Sequence, residues 1–334
     1  MACDFTDIVQ LGSTCQYKHG GLPDNIGAGV FVARITDFGN YDGENTVVAR
    51  GVLIVDDELL ESLKSPGKLR ERLEKLLPLR RDHLVTCHKI TIFSSPHRGV
   101  VEFMNPYYPD GSLEKKLRAM MQNGKLLDAA VAVQYAEDIA DGLAFLHQNG
   151  LTHGNLKPSN IMIKRANGQR DSLLITDLDY LGALLRSRKA SLGFGHLRDC
   201  GRYLSPEMVC AFSSTPVQDL WTSLPGPPTD IWSCGCIVME LMRRITGDSN
   251  EFLRNPNDGS VAEIRSEEPM SAVRVAMLVY SGHTPVVNDA AALPVGLGEC
   301  VRRCLSSDSA ERIPANQLHS QLSSISANRK NFSS

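Results

Sequence analysis

Several side chains that could take part in chemistry lie together in one short stretch, THGNLKPSNIMI, which covers residues 152–163. It holds a histidine, an amide and a lysine at His153, Asn155 and Lys157. The neutral amide of Asn155 cannot accept a proton as a general base. Asparagine side chains in loops commonly bond to nearby backbone groups, so we expect Asn155 to hold the loop by such bonds rather than to react.

Four further patterns follow this stretch. They are LLITDLDYLG at 173–182, RYLSPEM at 202–208, TDIWSCGCIVMEL at 229–241 and DSAERIPANQL at 308–318. In order and approximate spacing, the five together resemble the catalytic loop and later motifs of the eukaryotic protein kinase family. KPSN favours the Ser/Thr type. Asp-Leu at residue 177 and the Ser-Pro-Glu at 205–207 also resemble the never-in-mitosis-related (NEK) branch.

The resemblance implies an α+β, bilobal protein-kinase-like fold over residues 5–323. A small β-rich N-lobe would occupy about 5–103, a larger and mostly helical C-lobe about 110–323, and 324–334 would be a disordered tail. The local pattern agrees: GVFVARIT and NTVVARGVLIV are typical of strands, a helix is predicted over about 57–79, and LLDAAVAVQYAEDIADGLAFLH is typical of a long helix. Residues 250–269 are predicted to form a polar, mobile surface stretch.

The residues that hold a kinase scaffold together are present. By resemblance, Glu207 should pair with Arg312, a charge-assisted bond between distant helical segments. Asp230 should hold the backbone of the catalytic loop, with Trp232 packed beside it. His153 should be a packed core residue rather than a base.

The catalytic loop itself departs from the family. Asn155 stands where the family has the aspartate that orients or accepts the proton of the substrate hydroxyl. Loss of such a group costs about 10²–10⁴ in rate. Gly154 replaces an arginine that, in many kinases, pairs with a phosphate on the activation loop, so we expect no switch based on that contact.

Two positions in the N-lobe are also altered. Arg50, in VVAR, stands in for the lysine that grips the nucleotide phosphates, and arginine is not equivalent to lysine there. Aligning the helix by its leucines puts Arg72 where an active kinase has the glutamate partner of that lysine. A shift of register by one or two residues would place Glu71 or Glu74 there instead.

Other parts of a nucleotide site remain, so the resemblance implies that ATP and Mg²⁺ could still bind, weakly or in an altered pose. The metal positions are Asn160 and Asp177, and Lys157 is the catalytic-loop lysine. The remaining nucleotide-binding positions are the adenine-facing Val48 and Met162, the hinge Glu102 to Met104, and a glycine loop with Gly27 and Gly29. The stretch LGSTCQY near Gly12 is the other candidate for this loop, and a hairpin turn would explain either one equally well.

Composition narrows the class of protein. The chain has 334 residues, 42% hydrophobic and 22% charged, with a net charge of −3, as expected for a globular domain with two lobes. Neither nucleic acid nor an acidic membrane surface is expected as partner. Nine cysteines lack zinc-site or disulfide-framework spacing, which favours free thiols and a cytoplasmic location.

The leading hypothesis is a pseudokinase, a catalytically impaired kinase fold that acts as a binding or regulatory module for protein partners such as an active kinase or a scaffold. The alternative is a low-activity Ser/Thr protein kinase that transfers the γ-phosphate of ATP to protein hydroxyls. The segment from Tyr180 to Tyr203 is rich in arginine and lysine. It is either a solvated loop or a surface for an acidic or phospho-regulated partner.

Overall fold

A computed structural model gives the fold. It describes residues 7–12, 16–18, 30–37, 46–54, 61, 68–95, 98–165, 170–178, 200–214, 226–265, 268, 270–288, 290 and 292–330. The chain divides into two compact units, Met1–Pro109 and Asp110–Ser334. The first contains one sheet and one described helix of more than a turn, and the second is mostly helical. Together they make the α+β kinase-like fold that the sequence predicts.

An antiparallel sheet of six strands dominates the first unit. The strands are β1 Asp7–Gly12, β2 Gln16–Lys18, β3 Val30–Asp37, β4 Thr46–Ile54, β5 Lys89–Ser95 and β6 Arg98–Pro106. They are ordered β1-β5-β6-β4-β3-β2 across the sheet. Runs of valine, isoleucine and phenylalanine explain the strands, since such side chains suit a pleated, half-buried surface. The predicted glycine loop with Gly27 and Gly29 lies outside the described residues.

The helix of the first unit, α1, covers Lys68–Leu76 and so ends before the predicted boundary at about residue 79. The part of the predicted helix from about 57 to 67 lies outside the described residues, apart from residue 61. Leu73 and Leu76 are buried, and Leu79 is buried in the turn that follows, so the predicted apolar face is present. Because Pro78 cannot donate a backbone hydrogen bond, it is poorly suited to continue the helix to residue 79.

The second unit is built around helices. They are α2 Leu113–Gln122, α3 Ala129–Gln148, α4 Pro206–Ser214, α5 Pro228–Thr246, α6 Ser271–Tyr280, α7 Leu297–Cys304 and α8 Ala315–Lys330. Asp128 caps α3 by accepting hydrogen bonds from the amides of Ala130 (2.8 Å) and Val131 (3.1 Å). Helices α3 and α5 are largely buried and form the centre of this unit.

Short strands complete the second unit. A hairpin joins β7 Ile161–Lys164 to β8 Ser172–Ile175, and a three-stranded sheet has the order β10-β9-β11. Its strands are β9 Asn250–Arg254, β10 Val261–Arg265 and β11 Thr284–Pro285. The prediction of a mobile surface stretch is therefore wrong for the two strands of the β9–β10 hairpin, and residues 266, 267 and 269 lie outside the described part. Leu253 and Ile264 are buried and stabilise the hairpin. Their neighbours in sequence are mostly polar, so the sequence pattern does not indicate two strands.

The C-terminal region also differs from its prediction. Helix α8 continues to Lys330, so disorder from residue 324 is wrong for residues 324–330, and 331–334 lie outside the described part. Leu318 and Leu322 bury one face of α8. Ser323 adds a hydrogen bond from its hydroxyl to Glu137 Oε1 in α3 (2.5 Å). These contacts stabilise α8, although the polar composition of its C-terminal end does not predict a helix there.

The cysteines in the described part of the chain are free thiols. Cys234 and Cys236, on α5, are both buried, and burial raises the pKa of each to about 12. They are therefore packing residues rather than nucleophiles. Within the described ranges, no helix is both long and apolar enough to cross a bilayer.

Candidate functional site

The loop at 151–160 is held in place from α5. Asp230, fully buried in the first turn of that helix, accepts hydrogen bonds from two loop amides. The amide of His153 donates to Oδ2 (2.8 Å) and that of Gly154 to Oδ1 (2.7 Å). His147 Nε2 lies 2.9 Å from Oδ2. A carboxylate that accepts several such bonds fixes the loop backbone firmly, which confirms the predicted role of Asp230.

His153 is a structural residue. It is 1% exposed, and its Nδ1 accepts a hydrogen bond from the amide of Asn155 (3.1 Å). Nε2 lies 2.8 Å from the carbonyl oxygen of Thr176, which can only accept, so Nε2 carries the ring proton. With both ring nitrogens engaged, His153 positions the loop and is not a base, as predicted.

Gly154 suits its backbone conformation. Its φ of 70° lies in the left-handed region, where a residue with a Cβ is strained and glycine is not. Its amide is one of the two that Asp230 holds. A glycine here therefore keeps the loop geometry while removing the charged side chain that the family pattern has at this position.

Asn155 and Asn160 lie on the same loop. Asn155 is 8% exposed, and its contacts are made by its backbone: its carbonyl accepts a hydrogen bond from Asn160 Nδ2 (2.9 Å). Among the described residues, its side chain makes no hydrogen bond, so the expected side-chain bond to the backbone is not formed. Because Nδ2 of Asn160 is committed to the loop, its amide oxygen is the atom left to face a cation.

Asp177 lies close to Asn160 because Thr176, its neighbour in sequence, donates from its amide to the carbonyl of Asn160 (3.0 Å). Asp177 has φ of 60°, a left-handed conformation that costs a non-glycine residue energy and that is found mostly at functional or tightly determined positions. A carboxylate and an amide oxygen are ligands that suit Mg²⁺, which often takes few protein ligands and completes its shell with phosphates and water. The two residues therefore fit a magnesium site.

The nucleotide-binding residues predicted in the first unit are placed only in part. Val48 and Arg50 lie in β4, where Val48 is opposite Val32 and Arg50 is opposite Val30. The side chains of Val48, Arg50, Arg72 and Glu102 lie outside the described part. Glu71 and Glu74 are both exposed, and Glu74 pairs with Arg70 (3.1 Å).

Strand β6 contains the predicted hinge. Glu102 lies opposite Gly51, and Met104 lies opposite Ala49. The carbonyl of Met104 accepts a hydrogen bond from the amide of His88 (2.8 Å), and Met104 is 1% exposed. The predicted hinge is therefore regular strand, which continues to Pro106.

Met162 belongs to the second unit and lies in β7, opposite Leu174 on β8. It is half-buried and forms an isolated bridge with Ser112, while its neighbours Ile161 and Ile163 are buried. The alternation along β7 turns Met162 to the opposite side of the strand from these two isoleucines.

Glu207 and Arg312 form the predicted long-range pair. Arg312 Nη1 and Nη2 donate to the two carboxylate oxygens of Glu207, at 2.5 and 2.8 Å. Arg312 also donates to the carbonyls of Pro228 and Ser306, both at 2.9 Å, and lies over the ring of Trp232 at 5.1 Å. Burial acts to raise the pKa of Glu207, but the hydrogen bonds and charge of Arg312 outweigh it and hold that pKa below its usual value.

The sequence matches the protein kinase domain family over residues 60–322. The chain belongs to this family. It is 23% identical over 222 residues to the Serine/threonine-protein kinase SSK22 of Saccharomyces cerevisiae, across 63% of this chain and 16% of the relative. It is 29% identical over 176 residues to Mitogen-activated protein kinase kinase 9 of Arabidopsis thaliana, across 52% of this chain and 50% of the relative.

A third relative of this kinase-family chain is an inactive leucine-rich repeat receptor-like serine/threonine-protein kinase of Arabidopsis thaliana. It is 29% identical over 167 residues, across 48% of this chain and 23% of the relative. The kinase-family chain thus spans half or less of each of these three relatives. Ser/Thr kinases are among the relatives, in agreement with the type that KPSN favours.

One feature of this kinase domain was missed from the sequence. Arg243 and Arg244 are consecutive residues in α5, and Arg244 is 8% exposed. They line a cavity of about 230 Å³ together with Arg202, Glu240 and Glu251. The signal was the Arg-Arg pair inside a helix whose other residues are nearly all buried, since charged residues are rarely buried without a reason.

Proposed function

We propose that this kinase-family chain is a pseudokinase, a kinase fold that serves as a binding or regulatory module for protein partners. One observation carries the proposal: a neutral Asn155 stands in a loop whose backbone is otherwise held as firmly as a catalytic loop needs. Phosphoryl transfer depends almost wholly on positioning and on charge stabilisation. Here the positioning contacts are kept and the acidic group is absent.

The pattern of retained and altered residues supports this function. Asp230, Glu207 and Arg312 maintain the scaffold through buried hydrogen bonds. Substitutions at Asn155 and Arg50 fall on different steps, proton handling and phosphate binding, so their costs accumulate. A fold that keeps the packing residues of its family but not the catalytic ones is expected when a protein works through its surface. The inactive kinase-like relative of Arabidopsis thaliana offers a precedent.

ATP and Mg²⁺ binding is part of the proposal. Asn160 and Asp177 would hold the ion, which would supply charge neutralisation at the nucleotide phosphates. Thermal unfolding with and without excess ATP and Mg²⁺ tests this, because a ligand at about 100 times its dissociation constant stabilises by roughly 2.7 kcal/mol. We expect a magnesium-dependent shift that Asp177→Ala abolishes. A shift that persists in Asp177→Ala would contradict the assigned metal position.

The pseudokinase assignment itself is tested by phosphotransfer from labelled ATP to generic protein substrates. We expect the purified chain to give no signal above that of Asp177→Ala, which controls for a contaminating kinase. A signal in the unmodified chain that Asp177→Ala removes would overturn the proposal.

The second candidate is a low-activity Ser/Thr kinase, favoured by the retained Asn160 and Asp177. It predicts that Asn155→Asp raises turnover by about 10²–10⁴, the usual contribution of a general base. The pseudokinase proposal predicts that Asn155→Asp stays inactive, because Arg50 still occupies the lysine position. Measuring both variants with saturating ATP separates the two functions.

The proposal also includes a cellular location, a class of partner and a branch of the kinase family. A cytoplasmic location and an active kinase or scaffold as partner follow from the cysteine pattern and from the proposed binding role. The similarity to the NEK branch rests on Asp177-Leu178 and on Ser-Pro-Glu at 205–207, and it stays a prediction.

A further inference from the structure

Among the described residues of the larger unit, Arg244 is a buried arginine without a counter-ion. Arg244 is 8% exposed, and in the described part of the chain its guanidinium makes no hydrogen bond or ion pair. Transfer of an unpaired charge from water into a protein costs several kcal/mol. Arginine cannot escape this cost by losing its proton, because its pKa is too high. A group that neutralises Arg244 in the working protein would remove the cost.

The neighbouring arginines already have acidic partners. Glu251 pairs with Arg202 and, at 3.3 Å, with Arg243. Glu240 accepts a hydrogen bond from the hydroxyl of Tyr203 (2.9 Å). Among the described residues, these three arginines therefore meet two carboxylates, and the unmatched positive charge falls on Arg244. Lys157 is a further cation in the lining of the cavity. Arg118 and Glu114 also line the cavity, and they form an ion pair at 3.1 Å whose charges cancel.

Unfilled donors accompany this charge. Nε of Arg243 and Nε of Arg244 are both buried, and no described residue accepts a hydrogen bond from either atom. Both residues line the same cavity of about 230 Å³, which is open to solvent and large enough for a side chain to enter. Burial lowers the pKa of Arg243, and the nearby charges of Arg202 and Arg244 act in the same direction. Two arginines that line the cavity thus have hydrogen-bonding capacity that no described residue uses, as well as excess charge.

We propose that this cavity binds the phosphate group of a phosphorylated peptide. A phosphomonoester brings nearly two negative charges and three strongly accepting oxygens. Arginine forks match those oxygens better than a lysine would. A carboxylate has only two oxygens and would leave more of the unfilled donors unmatched. The inference goes beyond the proposed function, because it names the chemistry of the partner and requires no nucleotide.

The residues next to the arginines in the cavity support a peptide, rather than a free ion, as the carrier of the phosphate. Apolar and neutral groups of Phe252, Leu253, Val275 and Pro285 also line the cavity. They offer contacts for the residues that flank a phosphorylated side chain, which inorganic phosphate lacks. Arg202 belongs to the basic segment predicted to meet an acidic or phospho-regulated partner.

Thermal unfolding of the full chain tests the proposal with inorganic phosphate and with a short alanine peptide that carries a central phosphoserine. Chloride at matched ionic strength is the reference. We expect both probes to raise the unfolding midpoint, the peptide at lower concentration. Arg244→Gln should weaken phosphopeptide binding roughly 10- to 100-fold, the effect of losing charge-assisted hydrogen bonds.

Control variants separate this pocket from general basicity. Arg302→Gln removes the same charge from an exposed position in α7 and should bind both probes like the unmodified chain. Arg244→Lys keeps the charge but loses the fork, so its affinity should be intermediate. Equal binding by Arg244→Gln and the unmodified chain would overturn the proposal. Equal binding of a glutamate peptide would overturn the preference for phosphate.

Stability without a ligand gives a second readout. Because no described residue pairs with the charge of Arg244, Arg244→Gln should unfold at the same midpoint as the unmodified chain or higher. A variant that fails to fold would contradict the reasoning, since it would mean that the charge is already compensated. No nucleotide is present in these measurements, so their failure would leave the pseudokinase proposal standing.

Discussion

Removal of the Glu207 carboxylate should destabilise the larger unit measurably. In Glu207→Gln, the guanidinium of Arg312 loses two charge-assisted hydrogen bonds, at 2.5 and 2.8 Å. The side chain of Arg312 is fully buried, so water cannot replace the lost hydrogen bonds. Arg312 keeps its bonds to two backbone carbonyls, and the new amide oxygen can still accept one hydrogen bond.

The magnitude follows from these contacts. Breaking one partner of a fully buried ion pair costs about 3–5 kcal/mol. Glu207 is 26% exposed, and one neutral hydrogen bond remains, so we expect a smaller loss of about 2–3 kcal/mol. Urea unfolding followed by tryptophan fluorescence measures it, because Trp232 lies directly against Arg312. A loss below about 1 kcal/mol would refute the view that this pair is a main anchor.

The same pair predicts a pH dependence. The pKa of Glu207 is lower in the folded chain than its ordinary value of 4.5. The unfolded chain therefore binds a proton first on acidification, and the stabilisation is fully present above pH 4.5 and lost as the pH falls through the folded pKa. The difference in unfolding free energy between the unmodified chain and Glu207→Gln should shrink below pH 4.5. A difference that stays constant to lower pH would contradict this origin.

A matched control distinguishes a buried pair from an exposed one. Glu299→Gln removes the acid from the Glu299–Arg302 pair, which is 3.4 Å long and exposed on both sides. Exposed pairs contribute little, so the change should stay within about 0.5 kcal/mol.

Three further changes test the packing around the candidate site. Asp230→Asn turns an amide N–H₂ toward a loop amide and should cost about 2–4 kcal/mol, with faster hydrogen exchange in the loop; unchanged exchange would contradict it. Gly235→Ala places a Cβ 2.7 Å from that of Cys304 and should cost about 1–3 kcal/mol by denaturant unfolding, whereas the exposed Gly226→Ala should cost almost nothing. Tyr135→Phe removes a hydroxyl that accepts a 2.6 Å hydrogen bond from a lysine, and a loss of about 1 kcal/mol is expected; a loss above 3 would mean that its ring packing also changed.

Much of the fold follows from the sequence because apolar periodicity reports burial directly. Tyr135, Ile139 and Leu143 recur along one stripe of α3, and all three are buried. The hairpin of β9 and β10 was missed because its buried residues are separated by turn-forming and charged ones. Glu251 is itself buried, through pairing that no local pattern reveals.

The candidate site was predictable where the family resemblance supplies partners. Contacts of Asp230 with the loop, and of Glu207 with Arg312, join residues far apart in sequence, and spacing alone would not connect them. The missing counter-charge of Arg244 could not be predicted, because it depends on which side chains reach Glu240 and Glu251 in three dimensions. Local propensity carries no information on such pairing.

The anchoring of the loop also sets an order of events during synthesis. The amides of His153 and Gly154 donate to Asp230, which lies 77 and 76 residues later in the chain. Glu207 pairs with Arg312, which lies 105 residues after it. While the chain emerges from a ribosome, the loop has no carboxylate to hold it until α5 has been made. In a nascent chain that stops before Asp230, the amides of His153 and Gly154 would therefore lack their acceptor. Chaperones would bind the larger unit before its central helix α5 has been added.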